Sequence, residues 1–301
     1  MNRGGEFVAG DWGTSHLRLF LCDARGKVLD AVTGPGVAGS DGRCEQIFDS
    51  LTSKWTAQPP AVLCGMVGSN IGWVQAPYAA CPATVADIAD RSASLRDGLI
   101  RIVPGLSCRN RFDAPDFMRG EETQILGALA LEPALGRGQH LLCLPGTHTK
   151  WALLNEGVVT EFLTAPTGEL FNLLVNHSVL VRERGDVTPD AFRAGLEQFE
   201  RFPRAQLLHR LFECRSRNLN AELEPHKVSA FLSGLLVASD IAGALETLGS
   251  ATTVHLIGSP DLTRLYATGL ARRQCPVTLT DGSAAALAGL TRIRIQLTGH
   301  R

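Results

Sequence analysis

The apolar positions of this chain mark two similar groups of strands, one near the start and one near the middle. In both, a short apolar run leads into a Gly-Thr turn, and a strand-like run follows it. In the first copy, Leu17, Leu19 and Leu21 alternate with positions 16, 18 and 20, occupied by His, Arg and Phe. The predicted strands are 7–9, 16–21 and 27–32 in the first copy, and 141–144, 150–154 and 158–163 in the second. The copies are about one domain length apart, so the pattern predicts two related halves.

The rest of the pattern predicts an α/β protein with mostly parallel strands. In the second half, helices and strands alternate after a helical block, as in sheets whose strands are joined by helical crossovers. The Pro- and Gly-containing stretch 133–138 interrupts a helical pattern, which places a boundary between domains at 1–133 and 138–301. The predicted helices are 44–53, 121–131, 190–217, 228–248, 262–272 and 283–293, and the further strands are 61–64, 254–257 and 277–280.

Composition and charge narrow the class of partner. The 301 residues are 45% hydrophobic and 20% charged, which is enough apolar material for two domain cores. Lys and Arg number 29 against 30 Asp and Glu, so no basic block favours nucleic acid or a membrane surface. The N-terminus lacks the apolar core of a signal peptide, no later run approaches a membrane span, and the eight cysteines form no CxxC pair. These features predict a cytoplasmic protein that binds a small molecule.

The two Gly-Thr turns are candidate phosphate-binding loops. A glycine lets the backbone approach a phosphate, while amide N–H groups and hydroxyls donate to its oxygens. Each turn taken alone favours an ordinary hairpin turn, but the duplication with matching flanks reverses this and favours two turns that bind one nucleotide. The candidate residues are Gly13, Thr14 and Ser15 in the first turn, and Gly146, Thr147, His148 and the nearby Lys150 in the second.

Acidic residues occupy two positions suited to phosphoryl transfer. Asp11 ends an apolar strand beside the first turn, where a carboxylate can hold Mg²⁺; the alternative is an aspartate that bonds its own turn. Glu121 and Glu122 open a helix, where acids also complement the helix dipole. One of them is a candidate general base for a substrate hydroxyl. Adjacent residues face different directions on a helix, and the sequence leaves open which one faces the ligand.

Two further glycine motifs are less specific. The segment 34–39 formally matches GxGxxG, but its proline and the absence of an acid after the next strand argue against a dinucleotide site. No Walker-type GxxxxGK[ST] sequence is present either. Gly258 and Ser259 follow a predicted strand of the parallel layer, and ligands of such sheets bind at the carboxyl ends of strands. They are candidates to contact a nucleotide base or ribose, or else a simple strand-to-helix turn.

Taken together, the motifs resemble those of the 2-dehydro-3-deoxygalactonokinases, sugar-acid kinases of the sugar kinase, Hsp70 and actin superfamily. The matching segments follow the family order over nearly the full length. They are 11–15 (DWGTS), 64–69 (CGMVGS), 118–124 (MRGEETQ), 144–151 (LPGTHTKW), 167–171 (TGELF) and 256–260 (LIGSP). One departure from the family pattern is Asn70-Ile71, where a basic or second polar residue is expected.

The resemblance implies two ribonuclease-H-like, actin-like ATPase domains with ATP and Mg²⁺ in an interdomain cleft. It also implies transfer of a phosphoryl group to the 6-hydroxyl of 2-dehydro-3-deoxy-D-galactonate during galactonate breakdown. The N-terminal domain would carry the first phosphate loop, the sugar-acid side and the catalytic acid, and the C-terminal domain the second phosphate loop and the adenosine side. A homodimer is left open. The implied sugar-acid contacts are Gly68, Ser69, Asn70, Trp73 and Arg119.

Three alternatives compete with this interpretation. A phosphohydrolase of the exopolyphosphatase kind shares the Gly-Glu-Glu segment, but its second phosphate loop carries an acid where this chain has Leu144-Pro145. A kinase of a related 2-keto-3-deoxy sugar acid differs only in the preferred hydroxyl configuration. A nucleotide-dependent binding protein resembling Hsp70 or actin would need a peptide-binding region, and no long one follows.

Overall fold

The structure is a computed structural model that describes residues 6–55, 58–202, 207–249 and 253–299. In these ranges the strands are β1 Phe7–Trp12, β2 His16–Cys22, β3 Val28–Pro35, β4 Ala61–Gly65, β5 Tyr78–Ala80, β6 Ala93–Leu95, β7 Ile100–Ile102, β8 Gly105–Arg109, β9 Pro115–Met118, β10 Gln139–Leu144, β11 Thr149–Asn155, β12 Val158–Ala165, β13 Val254–Gly258 and β14 Val277–Asp281. The α-helices are α1 Cys44–Thr52, α2 Val85–Asp90, α3 Glu121–Leu131, α4 Thr167–His177, α5 Pro189–Arg201, α6 Leu207–Leu211, α7 Glu213–Leu219, α8 Val228–Leu248, α9 Pro260–Arg272 and α10 Gly282–Gly299. Short 3-10 helices lie at Val37–Gly39, Met66–Gly68, Arg96–Gly98, Pro133–Gly136 and Pro225–Lys227.

The apolar pattern predicted most of these elements correctly. In β2, Leu17, Leu19 and Leu21 are fully buried, as the alternation requires. The predicted helical block at 190–217 is divided into α5, α6 and α7. Residues 203–206 of that block lie outside the described residues, as do residues 1–5 of the polar N-terminus.

Two sheets share one strand order, which confirms the duplication predicted from the sequence. The six-stranded sheet has the order β3-β2-β1-β4-β7-β6, and the five-stranded sheet has the order β12-β11-β10-β13-β14. In each, three strands consecutive in sequence are followed by a strand that joins in parallel, β4 beside β1 and β13 beside β10. Each Gly-Thr turn therefore follows the carboxyl end of the equivalent strand, β1 or β10. A third sheet has the order β5-β8-β9.

The chain divides into two compact units that are discontinuous in sequence. Unit 1 consists of Met1–His140, Ala152–Phe162 and Thr280–Arg301, and unit 2 consists of Leu141–Trp151 and Leu163–Leu279. The C-terminal helix α10 belongs to unit 1 because its partners are α3, β1 and β4. The boundary predicted at 133–138 divides the chain only once, and it stays a prediction.

Within unit 1, α3 and α10 cross where each helix carries a glycine. A Cβ added to Gly127 of α3 would lie 1.7 Å from the carbonyl oxygen of Ala285, and one added to Gly289 of α10 would lie 1.9 Å from that of Thr123. The two backbones are thus closer than any larger side chain permits. This crossing fixes the helix that begins with Glu121 and Glu122.

The longest helix, α8, forms the centre of unit 2. With the preceding turn it spans Pro225–Leu248 and, among the described residues, is the one helix long and apolar enough to cross a membrane. The sequence pattern predicted that no run approaches a membrane span. Judged by length and composition, α8 contradicts that prediction. Most of the helix is buried within the protein, and α5 packs against it where Gly195 meets Gly234. Its apolar residues have the environment of a core helix.

The sequence pattern predicted no element between 74 and 118. The structure has five strands there, β5 to β9, each three to five residues long, together with the short helix α2. Runs of this length contain too few positions to establish a period. Helix α4 was also missed, and it proves to contact the second Gly-Thr turn.

Candidate active site

The first Gly-Thr turn joins β1 to β2 and is held from behind by a 3-10 helix. The Gly13 N–H donates to His16 O (2.9 Å), while the Val37 N–H donates to Gly13 O and the Ala38 N–H to Thr14 O (both 3.0 Å). A Cβ on Gly36 would lie 2.3 Å from Thr14 O. The carbonyls are therefore occupied at the back, and the side chains of Thr14 and Ser15 are exposed. The formal GxGxxG segment acts here as a support for this turn.

The second Gly-Thr turn joins β10 to β11 and is held by the start of α4. The Glu169 N–H donates to Thr147 O (2.9 Å), and a Cβ on Gly168 would lie 2.4 Å from Gly146 O. The Glu169 carboxylate also pairs with His148 Nε2 (2.8 Å), and Thr147 and His148 are both exposed. Each unit thus carries one exposed Gly-Thr turn fixed by a neighbouring helical segment.

Lys150, by contrast, is buried within the sheet. Only 5% of this residue is exposed, and its Nζ donates to Thr164 Oγ1 on β12 (2.9 Å). Lys150 is therefore a buried strand residue, unlike the exposed turn residues Thr147 and His148. Its ATP contact stays a prediction.

The predicted adenosine side lies beside the second turn. Gly258 ends β13, and a Cβ added to it would lie 3.6 Å from Pro145 O. Ser259 is exposed and precedes α9. A cavity of about 680 Å³ lies within unit 2, bounded by Gly146, the start of α4 and the first turns of α9. On α9 the first residue that lines the cavity is Asp261, two residues beyond Ser259. Most of the cavity surface is apolar.

Asp11 lies at the end of β1, opposite Arg18 on β2 and Cys64 on β4. Its Oδ2 accepts a hydrogen bond from Arg18 Nη2 at 2.6 Å, and Arg18 Nη1 donates to the Ser283 hydroxyl at the start of α10. The Asp11 side chain is 21% exposed. Oδ1 is not part of the ion pair, so this carboxylate has one oxygen to offer a ligand.

A magnesium ion fits this position only as part of a nucleotide complex. Among the residues that the structure describes, no group of three His, Cys, Asp or Glu side chains could hold a metal. Mg²⁺ commonly binds to one or two carboxylates and completes its shell with water and phosphate oxygens. A single carboxylate beside the first Gly-Thr turn is consistent with that donor set.

The two acids at the start of α3 lie in different environments. Glu122 is completely buried, with Oε2 accepting the Gly120 N–H (2.6 Å) and Oε1 accepting the Thr123 hydroxyl (2.9 Å). Burial raises the pKa of Glu122 to about 7, and the nearby charge of Glu121 acts in the same direction. Glu121 is half-buried, and its Oε2 accepts the Arg119 N–H (3.0 Å). Only one of the two carboxylates therefore reaches the surface.

Two glycines let α3 approach the ends of β1 and β4. Gly65 has φ +89°, and a Cβ there would lie 2.8 Å from Trp12 O. Gly120 has φ +105°, and a Cβ there would lie 3.5 Å from the Gly65 Cα. Cys64 lies between the acids of both elements: burial raises the pKa of its thiol, and the charges of Asp11 and Glu122 raise it further. Asp11 and the start of α3 therefore belong to one site in unit 1.

Two of the predicted sugar-acid residues are adjacent. Arg119 Nη1 would be 2.8 Å from a Cβ on Gly68, and the guanidinium lies over the Tyr78 ring, with 4.4 Å between the guanidinium carbon and the ring centroid. Arg119 Nη2 donates to Ala76 O (2.9 Å). Within the described part of the chain, Nε and Nη1 of Arg119 are buried without a hydrogen-bond partner. A guanidinium with two nitrogens that donate no hydrogen bond is suited to an anionic ligand.

The remaining predicted sugar-acid residues differ in exposure. Asn70 is exposed, whereas Ser69 is buried and its hydroxyl donates to Met66 O (2.7 Å). The Trp73 indole packs on Phe48, with 5.6 Å between ring centroids, at the edge of the unit 1 core. Its contacts are those of a packing residue.

Comparison with known proteins identifies the family. Residues 11–293 match the model of the 2-keto-3-deoxy-galactonokinase family. The chain belongs to this family. A 2-dehydro-3-deoxygalactonokinase of Escherichia coli (strain K12) is 35% identical over 96% of this chain and 97% of its own length. A protein of Rhizobium meliloti (strain 1021), named as a probable 2-dehydro-3-deoxygalactonokinase, is 38% identical over 97% of both chains. Membership of this family makes the chain a kinase, which confirms that prediction.

Solved structures support the same family and fold. A crystal structure of a protein from Sinorhizobium meliloti, provisionally assigned as a 2-dehydro-3-deoxygalactonokinase, has a TM-score of 0.87 at 37% identity and covers 95% of this chain and 97% of that one. An activator of 2-hydroxyisocaproyl-CoA dehydratase from Clostridium difficile, solved with bound ADPNP, has a TM-score of 0.52 at 10% identity, with 98% and 96% coverage. The second likeness concerns the fold alone. The predicted α/β class with two ribonuclease-H-like domains is confirmed.

Some contacts of the site escaped sequence reasoning. Arg18 holds Asp11 and in turn donates to the Ser283 hydroxyl. Gly36 and Gly168 let supporting segments approach the two turns. Gly168 lies in a segment quoted for the family resemblance, and Gly36 lies in the formal GxGxxG segment. The pattern did place Ser283 at the carboxyl end of the predicted strand 277–280, where ligands of such sheets bind, but nothing in it linked Ser283 to Asp11.

Proposed function

We propose that this protein is an ATP-dependent kinase that phosphorylates the 6-hydroxyl of 2-dehydro-3-deoxy-D-galactonate in galactonate breakdown. The observation that carries this proposal is the full-length similarity to the Escherichia coli enzyme of that name, at 35% identity. A soluble cytoplasmic enzyme that acts on small molecules agrees with the composition and with the burial of α8.

The nucleotide contacts follow from the two supported turns. We assign the phosphate oxygens to the hydroxyls of the exposed Thr14, Ser15 and Thr147, and to backbone amides of the two turns, including that of His148. The cavity beside Gly146 has the size and the mostly apolar lining of a nucleoside pocket, which supports an adenosine site in unit 2. Gly258 and Ser259 lie at the edge of this region, next to Pro145. That both turns contact one ATP molecule remains part of the proposal.

The acids of unit 1 take separate roles in the proposed reaction. Glu121 is assigned as the general base because this residue is partly exposed, whereas Glu122 is fully buried. Glu122 is fully buried and holds the Gly120 N–H, so it shapes the turn before the helix. Asp11 is the carboxylate assigned to Mg²⁺. When bound, this ion would neutralise charge on the transferring phosphoryl group.

The sugar acid is assigned to the surface formed by Gly68, Ser69, Asn70 and Arg119. The unused N–H groups of Arg119 support a role near the substrate carboxylate, once the guanidinium turns away from Gly68. Trp73 would support this surface indirectly, through its packing on Phe48 and the core of unit 1. Asn70 is the exposed polar side chain available for a substrate hydroxyl.

A coupled assay of ADP release tests the proposal. Turnover should require 2-dehydro-3-deoxygalactonate and should be much slower with its gluco epimer at equal concentration. Release of ADP that does not depend on any sugar acid would indicate a phosphohydrolase and would refute the kinase assignment. Equal or faster turnover with the gluco epimer would replace the substrate with a related 2-keto-3-deoxy sugar acid.

A further inference from the structure

One carboxylate in unit 2 is buried without a role in the proposed chemistry. Asp240, in the middle of α8, is only 9% exposed. Its Oδ1 accepts the Trp151 Nε1–H (2.9 Å), and its Oδ2 accepts the hydroxyls of Thr167 (2.7 Å) and Tyr266. Burial raises the pKa of Asp240, and the donated hydrogen bonds oppose that shift. Burying an acid is costly, and the full set of donors indicates that this position requires one.

The partners of Asp240 lead directly to the second Gly-Thr turn. Thr167 is the first residue of α4, whose Gly168 and Glu169 hold the backbone of Gly146 and Thr147. On the other side, the Tyr266 and Thr149 hydroxyls are 2.8 Å apart. Because the Tyr266 proton is donated to Asp240, Thr149 is the donor in that pair. Thr149 follows the turn immediately, so Asp240 is connected to the residues on both sides of it.

The same partners form part of the wall of the large cavity. Thr167 and Tyr266 both line it, together with Gly146 and Gly168. Asp240 is absent from that lining and lies behind the wall. The side chain therefore has no direct access to a ligand and can act only through the residues that it holds.

We propose that Asp240 is a positioning residue that fixes the second Gly-Thr turn and the adjoining cavity wall for the nucleotide. It acts through the hydroxyls of Thr167 and Tyr266. This inference rests on the proposed function, because it assumes that the cavity and the turn bind ATP. It predicts that loss of the network weakens ATP binding and leaves recognition of the sugar acid intact.

The test compares Asp240→Asn with Ser229→Ala, a control on the same helix. Ser229 is buried and donates to Gly185 O (2.9 Å), so its removal costs one hydrogen bond of α8 away from the network. Asparagine has one carbonyl oxygen and cannot accept from all three donors of Asp240. We expect the ATP dissociation constant, measured by calorimetry, to rise at least about tenfold for Asp240→Asn, with the KM of the sugar acid within about twofold. Ser229→Ala should change neither.

A second pair of variants covers the case in which Asp240→Asn does not fold. Thr167→Val removes the hydroxyl donor and should weaken ATP binding, whereas Thr167→Ser keeps the donor and should restore it. Hydrogen exchange at the Glu169 amide should be faster in Asp240→Asn and Thr167→Val than in the parent, without any nucleotide present. Unchanged ATP affinity and unchanged exchange in the folded variants would overturn the inference. A parent protein that binds no ATP would instead refute the proposed function.

Discussion

At the scale of single residues, burial separates neighbours that look alike in the sequence. Glu121 and Glu122 are adjacent acids in a first helical turn, yet one is half-exposed and the other has no contact with solvent. A similar contrast separates Thr147 and His148, which are exposed, from the buried Lys150. Chemical type identifies candidates, but the solvent contact of each side chain limits what it can do.

Replacing Glu121 by Gln should lower kcat at least about a hundredfold and leave the KM of ATP nearly unchanged. The reason is that a neutral amide cannot accept the substrate proton, while the shape of the turn is kept. Steady-state kinetics with both substrates measure this, and Glu122→Gln is the matched control, with a much smaller loss. Equal losses in the two variants would contradict the assignment of Glu121 as the base.

Glu122 should make stability depend on pH. Its pKa rises from an ordinary 4.5 to about 7 on folding, so the protonated acid is favoured in the native state. The stabilisation that this gives is complete below pH 4.5 and is lost as the pH rises through 7. The loss corresponds to about 3 kcal/mol in the free energy of unfolding.

Urea unfolding at pH 5 and pH 8 measures this dependence. In Glu122→Gln, whose side chain is neutral at both values, the difference between the two should be smaller than in the parent by about 2 to 3 kcal/mol, because part of the stabilisation is already lost at pH 5. Gln can still present its oxygen to the Gly120 N–H and its amide group to Thr123. Parallel pH profiles for the two proteins would mean that Glu122 keeps an ordinary pKa.

Asp11→Asn should raise the Mg²⁺ concentration needed for half-maximal activity by about tenfold or more. The amide keeps the size of the side chain but removes the charge that a metal would neutralise. Asp281→Asn is a suitable control, since Asp281 also ends a strand but accepts the backbone N–H groups of Ser283 and Ala284. A magnesium titration identical in Asp11→Asn and the parent would exclude the metal role.

At the scale of elements, close approach decides which segments support the site. The two turns depend on neighbouring segments whose glycines allow backbone contact, and α3 depends on its crossing with α10. Periodicity located the helices, because an apolar stripe is visible along the chain. It could not locate their partners, since Gly127 and Gly289 are far apart in sequence and glycine gives no apolar signal.

Two glycines on α8 should respond to alanine in opposite ways. A Cβ on Gly234 would lie 2.2 Å from Phe192 O, so Gly234→Ala must separate α5 from α8 and should destabilise unit 2 by about 1–3 kcal/mol. Gly243 lies on the same helix with nothing within 4 Å of its Cβ position. Gly243→Ala should therefore stabilise the protein by about 0.5–1 kcal/mol through helix propensity. Chemical denaturation measures both, and equal effects would contradict the packing at Gly234.

At the scale of the whole molecule, a duplicated strand order is combined with units that are discontinuous in sequence. The last helix of the chain packs on the first half, so unit 1 is complete only when both ends are present. The second half of the chain therefore contributes its last helix, α10, to the unit that contains the first half. The predicted boundary at 133–138 can be tested directly on this basis.

A fragment of residues 1–137 should fail to unfold cooperatively on its own. Without α10, the surfaces of α3, β1 and β4 that pack against it lose their cover and become exposed to solvent. Circular dichroism during heating measures this, and adding a peptide of residues 282–299 should restore a transition. A sharp transition in the fragment alone would support a contiguous N-terminal domain.

The sequence by itself determined the duplicated Gly-Thr turns, the α/β class, most of the longer helices and strands, and the kinase family. These are properties of local pattern and motif, and they are written in neighbouring residues. Only the tertiary structure decided that Glu122 is buried while Glu121 is partly exposed, that Arg18 links Asp11 to Ser283, and that Asp240 lies behind the second turn. Such facts depend on burial and on contacts between distant residues, because solvent exclusion and hydrogen-bond geometry arise only when separate elements pack together.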